Sequence, residues 1–139
     1  MRDGTVRALS RLHTALYRLT GGAVGRRLVN NDMLLLTTVG RRTGRRHTVP
    51  LLYLEDGPRL VVIASWGGRD HHPEWFRNLQ AAPEATVRLR GTERRVTARP
   101  ADEAERAEWW PRVVAAYDGY AVYQSKTERV IPVVFLEPA

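Results

Sequence analysis

Apolar and polar positions change period along this chain. Val6, Leu9, Leu12, Leu16 and Leu19 recur at helical spacing, so a helix over about residues 5–20 presents one apolar stripe. Arg7, Arg11 and Arg18 fall largely off that stripe, and Gly21-Gly22 ends it. From Leu34 onward the apolar positions gather into short leucine-rich and β-branched runs bounded by turn residues. Leu34–Val39, Val49–Leu54, Arg59–Ser65, Ala85–Arg90, Glu93–Arg99 and Val130–Leu136 read as strands, with hairpin signals at Asp56-Gly57 and Gly91-Thr92. Two helical stretches interrupt them. Pro73 opens one that runs from Glu74 to about Ala82, and Pro83 stops it. Asp102 caps the other, with Glu105 three residues on in a capping-box-like pattern; it carries Trp109, Trp110, Val113 and Val114 and ends before Asp118-Gly119. About six mostly antiparallel strands, joined by tight turns and accompanied by three helices of unequal size, predict an α+β fold. The expected architecture is a small β-barrel with covering helices, since crossover helices of a parallel sheet are missing.

A length of 139 residues suits a single domain with a genuine core. Cysteine is absent, which excludes disulfides, thiolate metal sites and a cysteine nucleophile. No secretory signal and no apolar run of membrane-spanning length occurs, so a cytoplasmic location is the default expectation. The basic amphipathic helix either packs on its own domain or touches the cytoplasmic face of a membrane. A net charge of +7 implies an anionic partner: nucleic acid, a membrane surface or a polyanionic small molecule. Lys126 is the only lysine, so arginine at any one position carries less information than usual.

That charge gathers in one loop, Gly40-Arg41-Arg42-Thr43-Gly44-Arg45-Arg46, set between the first two apolar runs. Uncompensated charge cannot be core. Gly40 and Gly44 allow positive φ, so backbone N–H groups can converge on an anion beside the guanidinium forks. The competing reading is a hairpin tip whose charges keep an edge soluble. Ser65-Trp66-Gly67-Gly68 follows a buried strand, and its glycines let a flat ligand approach the backbone; a plain turn explains them equally. The helix from Pro73 to Leu79 offers its positive end to an anion, while Trp75 fits either ligand contact or the core. Tyr117, Tyr120 and Tyr123, three residues apart, place their hydroxyls along one side of a helix or tight turn, or pack under a loop. A phenol can donate a hydrogen bond to a developing oxyanion. No nucleophile motif, P-loop or dinucleotide fingerprint is present, and His71-His72 lacks a third ligand, so no metal is expected.

Together, the stretches LLLTTVGRRTGRRHTVPLLY, VVIASWGGRDHHPEWFRNLQAAPEATV and ERAEWWPRVVAAYDGYAVYQSKTERVIPVVFLEP resemble the deazaflavin-dependent nitroreductase family, small split-β-barrel proteins that use coenzyme F420. The resemblance implies that the arginine loop, with Arg41, Arg42, Thr43, Gly44, Arg46 and His47, holds the phosphodiester and oligoglutamate tail of the cofactor. His47 stands where relatives usually carry arginine, which passes that role to Arg46. Trp66 stands where relatives commonly carry lysine, which either weakens tail binding or substitutes stacking on the cofactor. Ala64, Ser65, Gly67, Trp75 and Asn78 match positions lining the deazaflavin or the tail channel. Tyr117, Tyr120 and Tyr123, with Ser65, match the substrate pocket. The implied chemistry is hydride transfer from the reduced deazaflavin to a small electron-poor acceptor, a quinone, nitroaromatic or activated enone, in a monomer or homodimer. An FMN- or haem-binding barrel is the nearest alternative, but one terminal phosphate does not call for doubled arginines. A basic nucleic-acid-binding module lacks any recognised motif, so no nucleic-acid partner is expected.

Overall fold

The structure, a computed structural model, describes residues 33–139; the amphipathic helix expected over about residues 5–20 lies outside them. Seven strands follow in order: β1 (Met33–Val39), β2 (Arg46–Leu52), β3 (Leu54–Asp56), β4 (Arg59–Ile63), β5 (Glu84–Leu89), β6 (Thr92–Pro100) and β7 (Val133–Pro138). They form one antiparallel sheet in the order β2-β1-β5-β6-β7-β4-β3. Its two edge strands, β2 and β3, are separated in sequence by Tyr53 alone. One residue spans at most about 3.6 Å. The sheet therefore curls until its edges meet, which makes it a split barrel.

The run Val49–Leu54, expected to be one strand, is two. Arg46–Leu52 pairs with β1 along its whole length, from Val39↔Arg46 to Met33↔Leu52. Leu54–Asp56 pairs instead with β4, Leu54 opposite Val61. The chain changes partner at Tyr53, and hydrophobicity alone carries no mark of that change. The second hairpin turns at Arg90-Gly91, one residue earlier than expected, because Leu89 pairs with Thr92. Both turn residues have positive φ, 51° and 80°, as a tight primed turn requires.

Both faces of the sheet are covered. Leu34, Leu36, Leu60, Val62, Val87 and Val96 face the barrel interior with Trp75, Phe76 and Leu79 of helix α1 (Glu74–Ala81). Val61, Ile63, Val133 and Phe135 face outward beneath helices α2 (Glu103–Ala116) and α3 (Gly119–Ser125), against Trp109, Val113 and Tyr120. Strand β4 is apolar at every position from Leu60 to Ile63 because alternate residues enter alternate clusters. Each such side chain contributes about 1.5–3 kcal/mol on burial.

Helix α2 starts where expected. The Asp102 carboxylate accepts the Glu105 N–H at 2.8 Å, and the Glu105 carboxylate accepts the Asp102 N–H at 3.0 Å. Arg99, projecting from β6, donates to both Glu105 oxygens at 2.7 and 3.0 Å.

Because neighbouring strands run in opposite directions, the connections β1–β2, β4–β5 and β6–β7 leave the same end of the barrel. Tight turns close the other end. Every candidate site residue from Arg41 to Tyr123 lies in those three connections or at their junctions with the strands.

Candidate functional site

The first connection, from Gly40 to Arg45, is a closed loop. Gly40 N–H donates to the Arg45 carbonyl at 2.7 Å, and Gly44 N–H donates to the Gly40 carbonyl at 2.8 Å. Arg45 N–H donates to Thr43 Oγ1 at 3.2 Å, and Arg41 N–H to Asn78 Oδ1 at 3.2 Å. The expected cradle of convergent backbone N–H groups is therefore corrected: four of these donors are already occupied within the protein. Gly40 is closely packed: a Cβ there would meet His47 Nε2 and Thr43 Oγ1 at 2.8 Å, so those side chains would have to move. What the loop offers outward is guanidinium. Arg42, Arg45 and Arg46 are exposed, as is His47. Among the described residues none of these three arginines has an ion-pair partner.

Arg41 is different. Its Nη1 donates to Glu74 Oε2 at 2.7 Å and to Asn78 Oδ1 at 3.0 Å. Asn78 is buried, and its Nδ2 donates to Thr38 Oγ1 at 3.1 Å. Asn78 thus braces α1 against the end of β1 and fixes Arg41 through both backbone and side chain. Its polar atoms are committed to the protein, so a part in ligand binding runs through Arg41. Arg41 Nη2 is buried with no acceptor. An orphaned donor on a cation is costly to bury, and here it belongs to the same loop as the exposed Arg42, Arg45 and Arg46. The guanidinium of Arg41 holds the Glu74 carboxyl below its ordinary range, with smaller help from Arg77 and Arg42.

The second connection begins at Ala64, which is fully buried; its N–H donates to the Pro132 carbonyl at 3.0 Å. Trp66, Gly67 and Gly68 follow in a left-handed turn with φ of 48°, 63° and 80°. Left-handed backbone costs a side-chain-bearing residue about 1–2 kcal/mol, so the tryptophan at Trp66 is held there by its surroundings. Two contacts do so. Gly68 lies against α3 so closely that a Cβ would meet the Tyr123 carbonyl oxygen at 2.6 Å and its Cα at 2.9 Å, backbone atoms that cannot yield. Behind the turn sits Arg129, whose Nη2 donates to the Ser65 carbonyl at 2.6 Å and Nε to the Arg69 carbonyl at 2.7 Å. Its Nη1 reaches the Ala64 carbonyl at 3.2 Å and His72 Nδ1 at 3.0 Å. Gln124 holds Arg129 in turn, donating to its carbonyl at 2.7 Å. Nothing in the sequence marked Arg129, because its partners lie about sixty residues away and are mostly backbone. Burial, then the Arg129 charge, lower the basicity of His72. His71 Nε2 accepts the Trp66 indole N–H at 3.2 Å. Both histidines are thus engaged by neighbours of this turn. The Cβ position of Gly67 is open, with no atom within 4 Å.

Trp75 belongs to the barrel core, edge-on to Phe76 at 6.2 Å between centroids. The third connection brings the tyrosines together edge to face, Tyr117 to Tyr120 at 5.1 Å and Tyr120 to Tyr123 at 6.1 Å. Tyr120 is 6% exposed and packs on the outer face of the sheet. Burial pushes its phenol far above the ordinary value. Tyr123 is half-buried; burial and a hydrogen bond with Tyr117 push its phenol up to about 12. A phenol so raised is a hydrogen-bond donor at neutral pH and not a base. The contact of Gly68 with Tyr123 joins the turn to the tyrosine helix, and Arg41 joins the arginine loop to α1. A cleft of about 450 Å³ opens beside Arg129, between Asp70 and Ser125–Glu128. Its walls mix carboxylates with cations, and no residue expected from the sequence lines it.

These residues fit an extended anionic ligand carrying a flat ring. Exposed guanidinium groups and an orphaned donor lie at one place, and an open glycine turn lies beside half-buried phenols at another.

Comparison with known proteins agrees. The family described as F420H(2)-dependent quinone reductase matches residues 9–138. An F420H(2)-dependent quinone reductase of Mycobacterium tuberculosis (strain ATCC 25618 / H37Rv) is 38% identical over 133 residues, covering 92% of this chain and 89% of that one. The solved structure of an F420-H2 dependent reductase (FDR-A) superposes with a TM-score of 0.69 at 39% identity, covering 76% of this chain and 93% of its own. A solved domain-swapped dimer gives a TM-score of 0.69 at 33% identity, covering 89% of this chain and 98% of that one.

Proposed function

The chain belongs to the F420H(2)-dependent quinone reductase family, and from that premise we propose how its own residues perform the reaction. It is an F420-dependent reductase, and its cofactor is coenzyme F420. When bound, the reduced deazaflavin supplies the hydride that passes to a quinone.

In our reading the chain divides the work between two places. Arg42, Arg45 and Arg46, with Arg41 behind them, hold the phosphodiester and the carboxylates of the tail; His47 and Thr43 border that surface. Asn78 acts as a positioning residue through Arg41. The turn Ser65–Gly68 carries the ring, approached over Gly67, and Trp66 borders it. Ala64 and Trp75 shape the barrel end from inside. Tyr123 and the Ser65 hydroxyl donate hydrogen bonds to the acceptor oxygen as negative charge builds there. Tyr120, buried against the sheet, holds the rings of both Tyr117 and Tyr123 edge to face. Nitroaromatics and activated enones, which place developing charge on oxygen in the same way, fall within the proposed acceptor range. Assembly as a homodimer rests on the domain-swapped relative. Peripheral contact with the cytoplasmic face of a membrane rests on the sequence of residues 5–20, an apolar stripe with Arg7, Arg11 and Arg18 off it. Among the described residues no helix is long and apolar enough to cross a membrane.

The observation that carries the reading is that Arg42, Arg45 and Arg46 at the β1–β2 tip are exposed and make no ion pair among the described residues. Tryptophan fluorescence titrated with F420, and in parallel with FMN, tests it. Arg42→Ala with Arg45→Ala is expected to raise the Kd for F420 about tenfold or more and to flatten its salt dependence, since two guanidinium–anion contacts of roughly 1 kcal/mol each are lost. An unchanged Kd, or tighter binding of FMN than of F420, would overturn the assignment.

A further inference from the structure

Arg41 is held in an unfinished arrangement. Its backbone N–H and its Nη1 both reach Asn78 Oδ1, at 3.2 and 3.0 Å, so its place does not depend on Glu74. Glu74 nevertheless meets Nη1 through a single oxygen at 2.7 Å, while the neighbouring Nη2 is buried without an acceptor. A guanidinium prefers to present two parallel N–H groups to one carboxylate or phosphate. Glu74 uses half of that edge. The exposures of the pair are unequal: the Arg41 side chain is 16% exposed and that of Glu74 is 51%. The cation is fixed, and the carboxylate is free to swing into solvent.

We propose that Glu74 is a displaceable stand-in that neutralises Arg41 until an anionic group of the cofactor takes its place on both Nη atoms. The proposal rests on the assignment of the arginine loop to the cofactor's anionic arm. Exchange removes one monodentate contact, forms two, and satisfies the orphaned donor. The charges of Arg77 and Arg42 also act on the Glu74 carboxylate, so its departure leaves more positive charge unopposed than that of Arg41 alone. Glu74 thereby sets a threshold: a ligand must bring a bidentate anion to open the site, and weakly held monoanions do not. Removing the carboxylate removes the competition. An exposed ion pair of this kind biases an equilibrium by roughly two- to fivefold, and apparent affinity changes by the same factor.

The test compares wild type, Glu74→Gln, Glu74→Ala and Glu93→Gln. The last makes the same change of net charge at the opposite end of the barrel, where β6 begins. Each is titrated with F420 by tryptophan fluorescence, and with inorganic phosphate and triglutamate by thermal shift. Both Glu74 variants are expected to bind F420 two- to fivefold more tightly than wild type, with Glu93→Gln matching wild type. A gain with phosphate alone assigns Arg41 to the phosphodiester, and a gain with triglutamate alone assigns it to the tail carboxylates; either supports the stand-in. Weaker binding in the Glu74 variants would make Glu74 a positioning residue for Arg41 and overturn the proposal, as would a change no larger than that of Glu93→Gln. If wild type bound no F420, the cofactor assignment would fall, and the phosphate and triglutamate titrations would still decide whether Glu74 competes for Arg41.

Discussion

Replacing Arg129 with alanine removes a single guanidinium that joins the end of β4, the Ser65–Gly68 turn and the residues leading into α1. Its four hydrogen bonds end on the carbonyls of Ala64, Ser65 and Arg69 and on His72 Nδ1. Ala64 is fully buried, so no water replaces its lost partner without opening the core. A hydrogen bond from a charged donor contributes about 1.5–3 kcal/mol, the effects are not additive, and relief of a partly desolvated cation offsets some of the loss. The net destabilisation expected is about 2–4 kcal/mol. For a chain of 139 residues this lowers Tm by roughly 7–14 °C. Denaturant and thermal unfolding give the stability, and the fluorescence titration gives F420 affinity in the temperature range where the variant is folded. Affinity should fall as well, because the left-handed turn at Trp66 loses the clamp that holds it in a strained conformation. Arg129→Lys, with a point charge in place of a planar fork, should recover only part of either loss. A variant within about 0.5 kcal/mol of wild type in stability, with F420 affinity unchanged, would refute the clamp.

Two further outcomes follow from the tyrosines and from the α2 cap. Tyr123→Phe should lower kcat for quinone about 10- to 100-fold while leaving the Kd for F420 within a factor of two; Tyr120→Phe should spare both, and Tyr120→Ala should cost about 3 kcal/mol of stability by leaving a core cavity. Steady-state kinetics beside unfolding curves check this assignment, which a dominant effect of Tyr120→Phe on kcat would reverse. Glu105, paired with Arg99 and capping Asp102, has its carboxyl held near about 2, below its ordinary 4.5. A depressed folded value stabilises above the unfolded pKa, so this contribution is complete above about pH 4.5 and fades as pH falls toward about 2. Thermal melts between pH 5 and pH 2 should show a smaller acid-induced loss in Glu105→Gln than in wild type, and equal slopes would refute the pairing.

The sequence was readable wherever one segment settles its own structure. The apolar runs gave the strands, Asp102 and Glu105 gave the α2 start, and Pro73 and Pro83 bracketed α1. Barrel closure was less readable because it depends on which strand each half of Val49–Leu54 pairs with, and both halves are equally apolar. Tyr53 is where the partner changes from β1 to β4, and no local preference distinguishes it from its neighbours. The extra helix at Gly119–Ser125 was half legible: the tyrosine spacing allowed a helix or a turn, and only packing against Gly68 decides between them.

The site shows the same division more sharply. Arg41 and Arg42 are identical in type and adjacent in sequence, and both looked like anion ligands. The structure separates them through contacts far away in the chain. Arg41 is fixed by Asn78, thirty-seven residues on, and Arg42 makes no ion pair among the described residues. The same long-range pairing turns Asn78 from an expected ligand contact into a brace, and makes Arg129 the clamp of a turn that it follows by more than sixty residues. A motif can therefore name the chemistry of a loop, but not which of its groups are already occupied. In this fold the difference matters, because a guanidinium that is anchored and incompletely paired can be pre-set for an anion, whereas a free one chiefly adds charge. Arg41 with its orphaned Nη2 belongs to the first kind, and Arg42, Arg45 and Arg46 to the second. Cofactor affinity should then respond to salt mainly through the exposed three and to changes at Asn78 and Glu74 mainly through Arg41.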